Sequence, residues 1–471
     1  MDKQTALFII VSTGQNLANL PPLLEMAKKN DEVLWIESAA SRNGNWSEGA
    51  RRVISDHGLV SRPEQVEIAN LNNPTEIIAC LHPIIHAISK NKRILFIANG
   101  GPKLTPLGVL QACSGLNVEI LYGETNPVGY YLLPSQLENN PGVLEYKNHR
   151  LDLIDILHSY NYLFSPSDPK PLQLWPNPTQ TTDLSDIYGL NEKETIRLHD
   201  HLYGITLAHI GNNDKKSPRF ADLEKVVQAG RLNDPATGWK NQIVSSLLAL
   251  KYSLHYTTHQ ANILKNEKFL TQLPIIYNST VSLSDKLRSA IIQMNADNTG
   301  NLANRDIGKR FENGVGFRVV NWIAHNQQSH QAIQSVWQNV SVCRKADESI
   351  KVAEWDVLIV LKNGILLNIE CKSFTTTPLK ELDARLLNLK EMGSEAKMIV
   401  CFPFYTRYVD RPWFNISHIF KNKLKKMPYL PFTFPGQPES YVVQLGETTV
   451  EDSCPSFEDQ LGRILKPYCL G

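Results

Sequence analysis

The stretch from Glu354 to Ser373, E-W-D-V-L-I-V-L-K-N-G-I-L-L-N-I-E-C-K-S, constrains the fold more than any other. Val357 to Leu361 is an apolar, β-branched-rich run that reads as a strand. Lys362, Asn363 and Gly364 make the turn, because Asn-Gly readily adopts the positive φ values of a tight hairpin. Ile365 to Lys372 is the return strand. Side chains alternate along it, so Glu370 and Lys372 share one face while Ile369 and Cys371 point into the core. Asp356 lies just before the first strand and reaches the same hairpin end. The pattern therefore places two carboxylates and a lysine on one rigid hairpin. Hard oxygens from Asp356 and Glu370 suit Mg²⁺ or Mn²⁺. Lys372 suits orienting or deprotonating a water and offsetting phosphate charge. A charged end beside an Asn-Gly turn is also what a solvated sheet edge looks like, but here a buried apolar strand carries the acid.

Upstream, Ile307 to Ile323 has helical spacing at Phe311, Val315, Val319 and Trp322, with Glu312 and Gly316 on an adjacent face. Gln338 to Arg344 reads as a strand. After the hairpin, Leu379 to Met392 reads as a helix with Arg385 and Lys390 outward, and Lys397 to Phe402 as a buried strand. An Asp, a turn-linked Glu-x-Lys and an upstream helical Glu resemble the PD-(D/E)xK nuclease superfamily, with Trp355-Asp356 in place of Pro-Asp. The resemblance implies metal ligands at Asp356 and Glu370, a water-activating Lys372 and a supporting Glu312. Further on, Trp413 to Met427 sets Ile416, Ile419, Phe420 and Leu424 against Lys421, Lys423, Lys425 and Lys426. This is either a solvated helix face or a phosphate-backbone contact.

The first third has a different rhythm. Ala6 to Ser12 reads as a buried parallel strand, followed by Thr13-Gly14-Gln15-Asn16 and a helix around Leu20 to Ala27, with Pro21 and Pro22 in its first turn. Val33 to Ile36 is a second strand, and Pro74 to Ile88 a helix with Pro83 inside. Arg93 to Ala98 is a third strand, running into Asn99-Gly100-Gly101-Pro102-Lys103. Thr105 reads as the N-cap of a helix from Pro106 to Cys113, and Val118 to Tyr122 closes the unit. Alternating strands and helices predict a doubly wound α/β sheet, whose ligands bind at the carboxyl ends of the strands. Glycines let backbone N–H groups approach phosphates there, and Lys103 adds charge. Neither corner is a G-x-G-x-x-G fingerprint or a Walker A motif.

The run N-G-G-P-K-L-T-P resembles the signature corner of CARF domains, the CRISPR-associated Rossmann-fold sensors, with Pro102 where many relatives have Thr. The corner S-T-G-Q-N-L-A-N-L is similar to the other CARF ligand loop. A CARF domain followed by a PD-(D/E)xK domain resembles the ancillary nucleases of type III CRISPR systems. That resemblance implies a homodimer. It also implies that Thr13, Gly14, Gln15, Asn16 and Asn19, with Asn99, Gly100, Gly101, Pro102, Lys103 and Thr105, bind a cyclic oligoadenylate, cyclic tetra-adenylate by preference. Binding would switch on cleavage of DNA or RNA. Two alternatives stay open: a restriction- or repair-type nuclease not gated by such a ligand, and a sensor without catalysis.

Four parts are expected: a sensor domain over 1–150, a helical or winged-helix middle region over 151–300, a nuclease domain over 301–430 and an extension over 431–471. With 471 residues, more than one core is required. In the middle, residues 165–182 are proline-dense and read as a linker or surface loop, whereas 191–201 and 241–252 look helical. His199 and His201 fall on different sides of such a helix, which argues against a metal site. A net charge of +1 confines any nucleic-acid surface to local patches. Seven scattered cysteines without a C-x-x-C point to reduced thiols in the cytoplasm. No signal peptide and no apolar run of membrane-spanning length is expected.

Overall fold

The computed structural model describes residues 5–64, 66–90, 92–133, 142–148, 151–166, 170–176, 302–371, 379–393, 395–403, 427–432, 440–445, 448–453 and 455–470. The helices expected at 191–201 and 241–252, residues 413–426 of the expected basic helix, and Lys372 lie outside these residues.

The first sheet contains β1 (Ala6–Val11), β2 (Glu32–Glu37), β3 (Val60–Ser61), β4 (Val66–Glu67), β5 (Arg93–Ile97), β6 (Val118–Glu124) and β7 (Gly129–Leu133). Its order is β3-β2-β1-β5-β6-β7, with β4 also on β2. All neighbours run parallel except β7, which returns antiparallel along β6. The parallel unit thus ends with β6, as the sequence suggested, and the sheet continues past it because a short turn carries the chain straight back as β7.

Helices cover both faces. They are α1 (Leu20–Met26), α2 (Ala39–Asn43), α3 (Glu48–Asp56), α4 (Pro74–Ile88) and α5 (Thr105–Ala112). Phe8 and Ile10 of β1 pack in the cluster that holds Leu20, Leu23 and Val53. Leu7, Ile9 and Val11 pack with Ile77, Leu81 and Val109 instead. A strand buried on both faces must be apolar throughout, and all of β1 is buried. The chain leaves β1 for α1 on one face and β5 for α5 on the other. The gap between these adjacent strands is thus the switch point where ligands bind in such sheets.

The second half begins at α6 (Leu153–Ser159), β8 (Tyr162–Phe164) and β9 (Leu172–Trp175). After the undescribed stretch come α7 (Leu302–His325), α8 (Gln327–Ala332), β10 (Ile333–Arg344), β11 (Asp347–Leu361) and β12 (Leu366–Cys371). Then follow α9 (Leu379–Lys390), β13 (Lys397–Pro403), β14 (Tyr429–Phe432), β15 (Ser440–Leu445), β16 (Thr448–Ser453) and α10 (Phe457–Leu465). The second sheet has the order β14-β13-β12-β11-β10-β8, with β9 also on β10. β15 and β16 form a separate hairpin.

Two expectations are corrected here. The stretch read as a linker contains β9, which pairs with β10 through Val336↔Trp175. Asp356 lies inside β11 rather than before it, because the strand starts at Asp347. Beyond these, β14 extends the sheet, and α10 is pinned to α7 by Arg318, which donates to Glu458 at 2.6 Å and lies under the Phe432 and Phe457 rings.

Gly316 explains how α7 approaches the sheet, since a Cβ there would come within 2.8 Å of Leu174 on β9. β12 is buried along its whole length. Its residues belong to the same apolar cluster as Leu17, Leu20 and Leu23, so the two sheets share one continuous core.

Candidate functional site

The hairpin end holds the first cluster. Val357 pairs with Ile369 across β11 and β12, so Asp356 and Glu370 are the next facing pair and lie on one side of the sheet. Asp356 accepts the Cys371 N–H through Oδ2 at 2.7 Å. Glu370 is fully buried; Asn368 Nδ2 donates to its Oε2 at 3.2 Å, and the Arg385 guanidinium pairs with its Oε1. Glu370 is therefore not on a solvated strand edge, and the sheet is covered on both faces here. Arg385 does not point outward as helical amphipathicity suggested. Its side chain turns in to neutralise a carboxylate that burial would otherwise penalise strongly.

Glu312 on α7 is half-buried. Burial raises the Cys371 thiol well above its ordinary range, and the neighbouring Cys401 thiol and the Asp356 and Glu312 carboxylates push it the same way. Asp356 touches the backbone of that residue, and Glu312 is near enough to act on it through charge. Asp356 and Glu370 thus face each other at one end of the hairpin, and Glu312 acts on the thiol beside them. Among the described residues, no three His, Cys, Asp or Glu side chains converge tightly enough to hold a metal ion by themselves. The donor set fits a hard divalent cation through two facing carboxylates, and the cationic Arg385 already stands beside one of them.

The second cluster lies at the carboxyl ends of β1 and β5. Here the polar side chains mostly build the loops. Asn16 Oδ1 accepts the Thr13 N–H at 2.9 Å, and its Nδ2 donates to Trp46 O at 2.7 Å. Asn19 Nδ2 donates to Val11 O, and Asn99 holds the backbone of Gly123 through both amide atoms. Thr105 is not an N-cap. It is the first residue of α5, fully buried, and its hydroxyl donates to Leu71 O at 2.8 Å. Gly100 is required by close approach, since a Cβ would come within 2.5 Å of Val11 O. Gly101 takes φ +86°. Gly14, Gln15, Gly101 and Lys103 remain exposed, and Thr13 and Pro102 are half-buried. The two corners therefore offer exposed backbone and Lys103 to a ligand.

The hairpin turn reaches these corners, which sequence reasoning did not foresee. Gly364, at φ +82°, lies so close to Leu17 that a Cβ would meet it at 3.0 Å. Lys362 Nζ donates to Tyr146 O at 3.0 Å. Six residue steps separate Gly364 from Glu370, roughly 20 Å of stiff backbone. One end of the hairpin thus carries the carboxylates and the other rests on the first corner loop.

The protein is a two-part α/β molecule: a Rossmann-like sheet with its switch point between β1 and β5, and a mixed second sheet with an acidic hairpin at its centre. No family model matches the chain, and no curated protein matches it in sequence. Among solved structures, protein VC1899 from Vibrio cholerae shares the fold, with a TM-score of 0.50 at 15% identity over 90% of this chain and 94% of that one. Can2 from Sulfobacillus thermosulfidooxidans, in complex with cyclic tetra-adenylate, has a TM-score of 0.48 at 14% identity, over 90% of this chain and 95% of that one. A type III CRISPR defence DNA nuclease activated by cyclic oligoadenylate has a TM-score of 0.44 at 12% identity, over 99% of this chain but 52% of that one. No helix among the described residues is long and apolar enough to cross a membrane.

Proposed function

We propose that this protein is a metal-dependent nuclease switched on by a cyclic oligoadenylate, acting as a homodimer in the cytoplasm in type III CRISPR defence. One observation carries the reading. The hairpin that presents Asp356 and Glu370 rests its turn on the β1 corner, the loop that resembles a CARF ligand loop. Asp356 and Glu370 hold the cation, Mg²⁺ or Mn²⁺, with Glu312 supporting the site. Bound there, the cation would lower the pKa of water and stabilise phosphoryl charge. Lys372, next but one after Glu370, orients the attacking water and faces the phosphate. Attack of water at phosphorus breaks one P–O bond, and the leaving oxygen takes a proton. Lys421, Lys423, Lys425 and Lys426 contact the nucleic-acid backbone.

The corners at Thr13–Asn19 and Asn99–Thr105 bind the activator. Cyclic tetra-adenylate is internally symmetric, so two protomers grip it about a two-fold axis. The activator acts by binding one arrangement of the dimer more tightly than another. That arrangement brings the two Asp356–Lys372 hairpins to a shared substrate groove. A second reading, a sensor without catalysis, is favoured by one observation: Glu370 is fully buried and already paired with Arg385.

The test is to incubate the purified full-length chain with labelled single-stranded DNA, plasmid and single-stranded RNA in Mn²⁺, with and without cyclic oligoadenylates. Cleavage that needs both is the expected result. Activator binding without any cleavage favours the sensor, and cleavage without activator favours an ungated nuclease.

A further inference from the structure

A cavity of about 90 Å³ lies between the corner loops and the second sheet. Gln15, Leu17 and Glu124 line it from the first half, and Asn363, Met392 and Glu395 from the second. We infer that this cavity is a subsite for one adenine base of the activator and that Asn363, on the hairpin turn, recognises it. The inference rests on the sensor reading above and adds to it a recognition residue outside the two corner loops.

Asn363 is the reason. It is 9% exposed. Its Oδ1 accepts the Ile365 N–H at 3.2 Å, which fixes the oxygen toward the turn and leaves the amide NH₂ over. That Nδ2 is buried without a partner. A buried donor left unpaired is costly, because it has lost its hydrogen bond to water and gained none. A ligand acceptor at the cavity would remove the penalty, and a ring nitrogen of adenine is such an acceptor.

The other walls select the same chemistry. Glu124 and Glu395 repel a phosphate but accept from an exocyclic amino group. Glu124 Oε1 is turned to the Thr125 N–H at 2.8 Å, which fixes that side chain on the rim. Leu17 and Met392 offer apolar contact to a flat ring. Lys103 is not among the lining residues, so the cationic contact for phosphate lies elsewhere on the corner. The volume holds several waters, and so one heterocycle rather than a dinucleotide. A base seated here touches the residue that joins the Asp356 strand to the Glu370 strand. Activator binding would therefore bear directly on the catalytic hairpin.

The experiment is calorimetric titration of the full-length protein with cyclic tri-, tetra- and hexa-adenylate, for wild type, Asn363→Asp and Lys103→Ala. Aspartate keeps the side-chain size and the acceptor for Ile365, suits the position before glycine in a hairpin turn, and removes the donor. Hydrogen exchange of residues 362–366 in the wild type, with and without activator, is the second readout and does not depend on a variant folding. The expected result is a tenfold or greater loss of affinity in Asn363→Asp and slowed exchange over 362–366 on binding. Unchanged affinity in Asn363→Asp, with Lys103→Ala weakened, overturns the subsite while keeping the sensor. Unchanged exchange at 362–366 also overturns it. Failure of the wild type to bind any of the three rings overturns the sensor reading and the subsite together.

Discussion

The two ends of the hairpin use polar residues in opposite ways. At the corners, the conspicuous asparagines and Thr105 are spent on the protein's own backbone. What remains for a ligand is exposed backbone and Lys103. At the other end, the charged residues are buried and face one another: Asp356 under the Cys371 N–H, Glu370 between Asn368 and Arg385. On the proposed reading, the difference separates two tasks. A recognition loop needs its shape fixed and its backbone open. A catalytic centre needs its charges fixed before substrate arrives, which is costly and is offset here by paired hydrogen bonds and an opposing cation.

The comparison breaks most readily at the carboxylates. Glu370→Gln, Asp356→Asn or Lys372→Ala should each reduce cleavage on the order of a hundredfold or more, because water activation and charge stabilisation are each worth several kcal/mol of barrier. Activator affinity should be unchanged by calorimetry. Lost binding in these variants would mean the two ends do not divide their tasks.

The turn should show a smaller effect. Gly364→Ala forces a Cβ into positive φ and against Leu17, so thermal or denaturant unfolding should show a loss of about 1–2 kcal/mol. A variant as stable as the wild type would mean that Leu17 withdraws without cost and that the turn is not seated firmly.

Arg385 should show the smallest and most diagnostic change. Its guanidinium holds Glu370 in the absence of a divalent ion. Arg385→Gln should lower stability without metal and raise Mn²⁺ affinity a few-fold, read as a larger Mn²⁺-dependent shift in melting temperature. A smaller shift than wild type would make Arg385 a support for the metal site instead of a competitor.

Much of this was legible from local pattern. The apolar run to Leu361, the Asn-Gly turn and the alternation around Glu370 specify a hairpin whatever surrounds it, and the observed turn keeps Gly364 at positive φ. The strand-loop-helix corners are equally local. What escaped was decided by tertiary neighbours. Arg385 reads as outward because helical spacing makes it polar surface, and only the proximity of Glu370 turns it in. Leu172–Trp175 sits among prolines that suggest a loop, and becomes a strand because β10 offers it a free edge. The docking of Lys362 and Gly364 on the first half joins residues far apart in the chain, which no periodicity encodes.

The division of tasks is tested most directly by measuring cleavage rate against cyclic tetra-adenylate concentration for the wild type and Lys103→Ala, in saturating Mn²⁺. Lys103 is exposed at the β5 corner, and its charge can act on the activator without touching the carboxylates. The account predicts a curve displaced to higher activator concentration, about tenfold, that reaches the wild-type plateau. A plateau lowered at full saturation, or two superimposable curves, would contradict it.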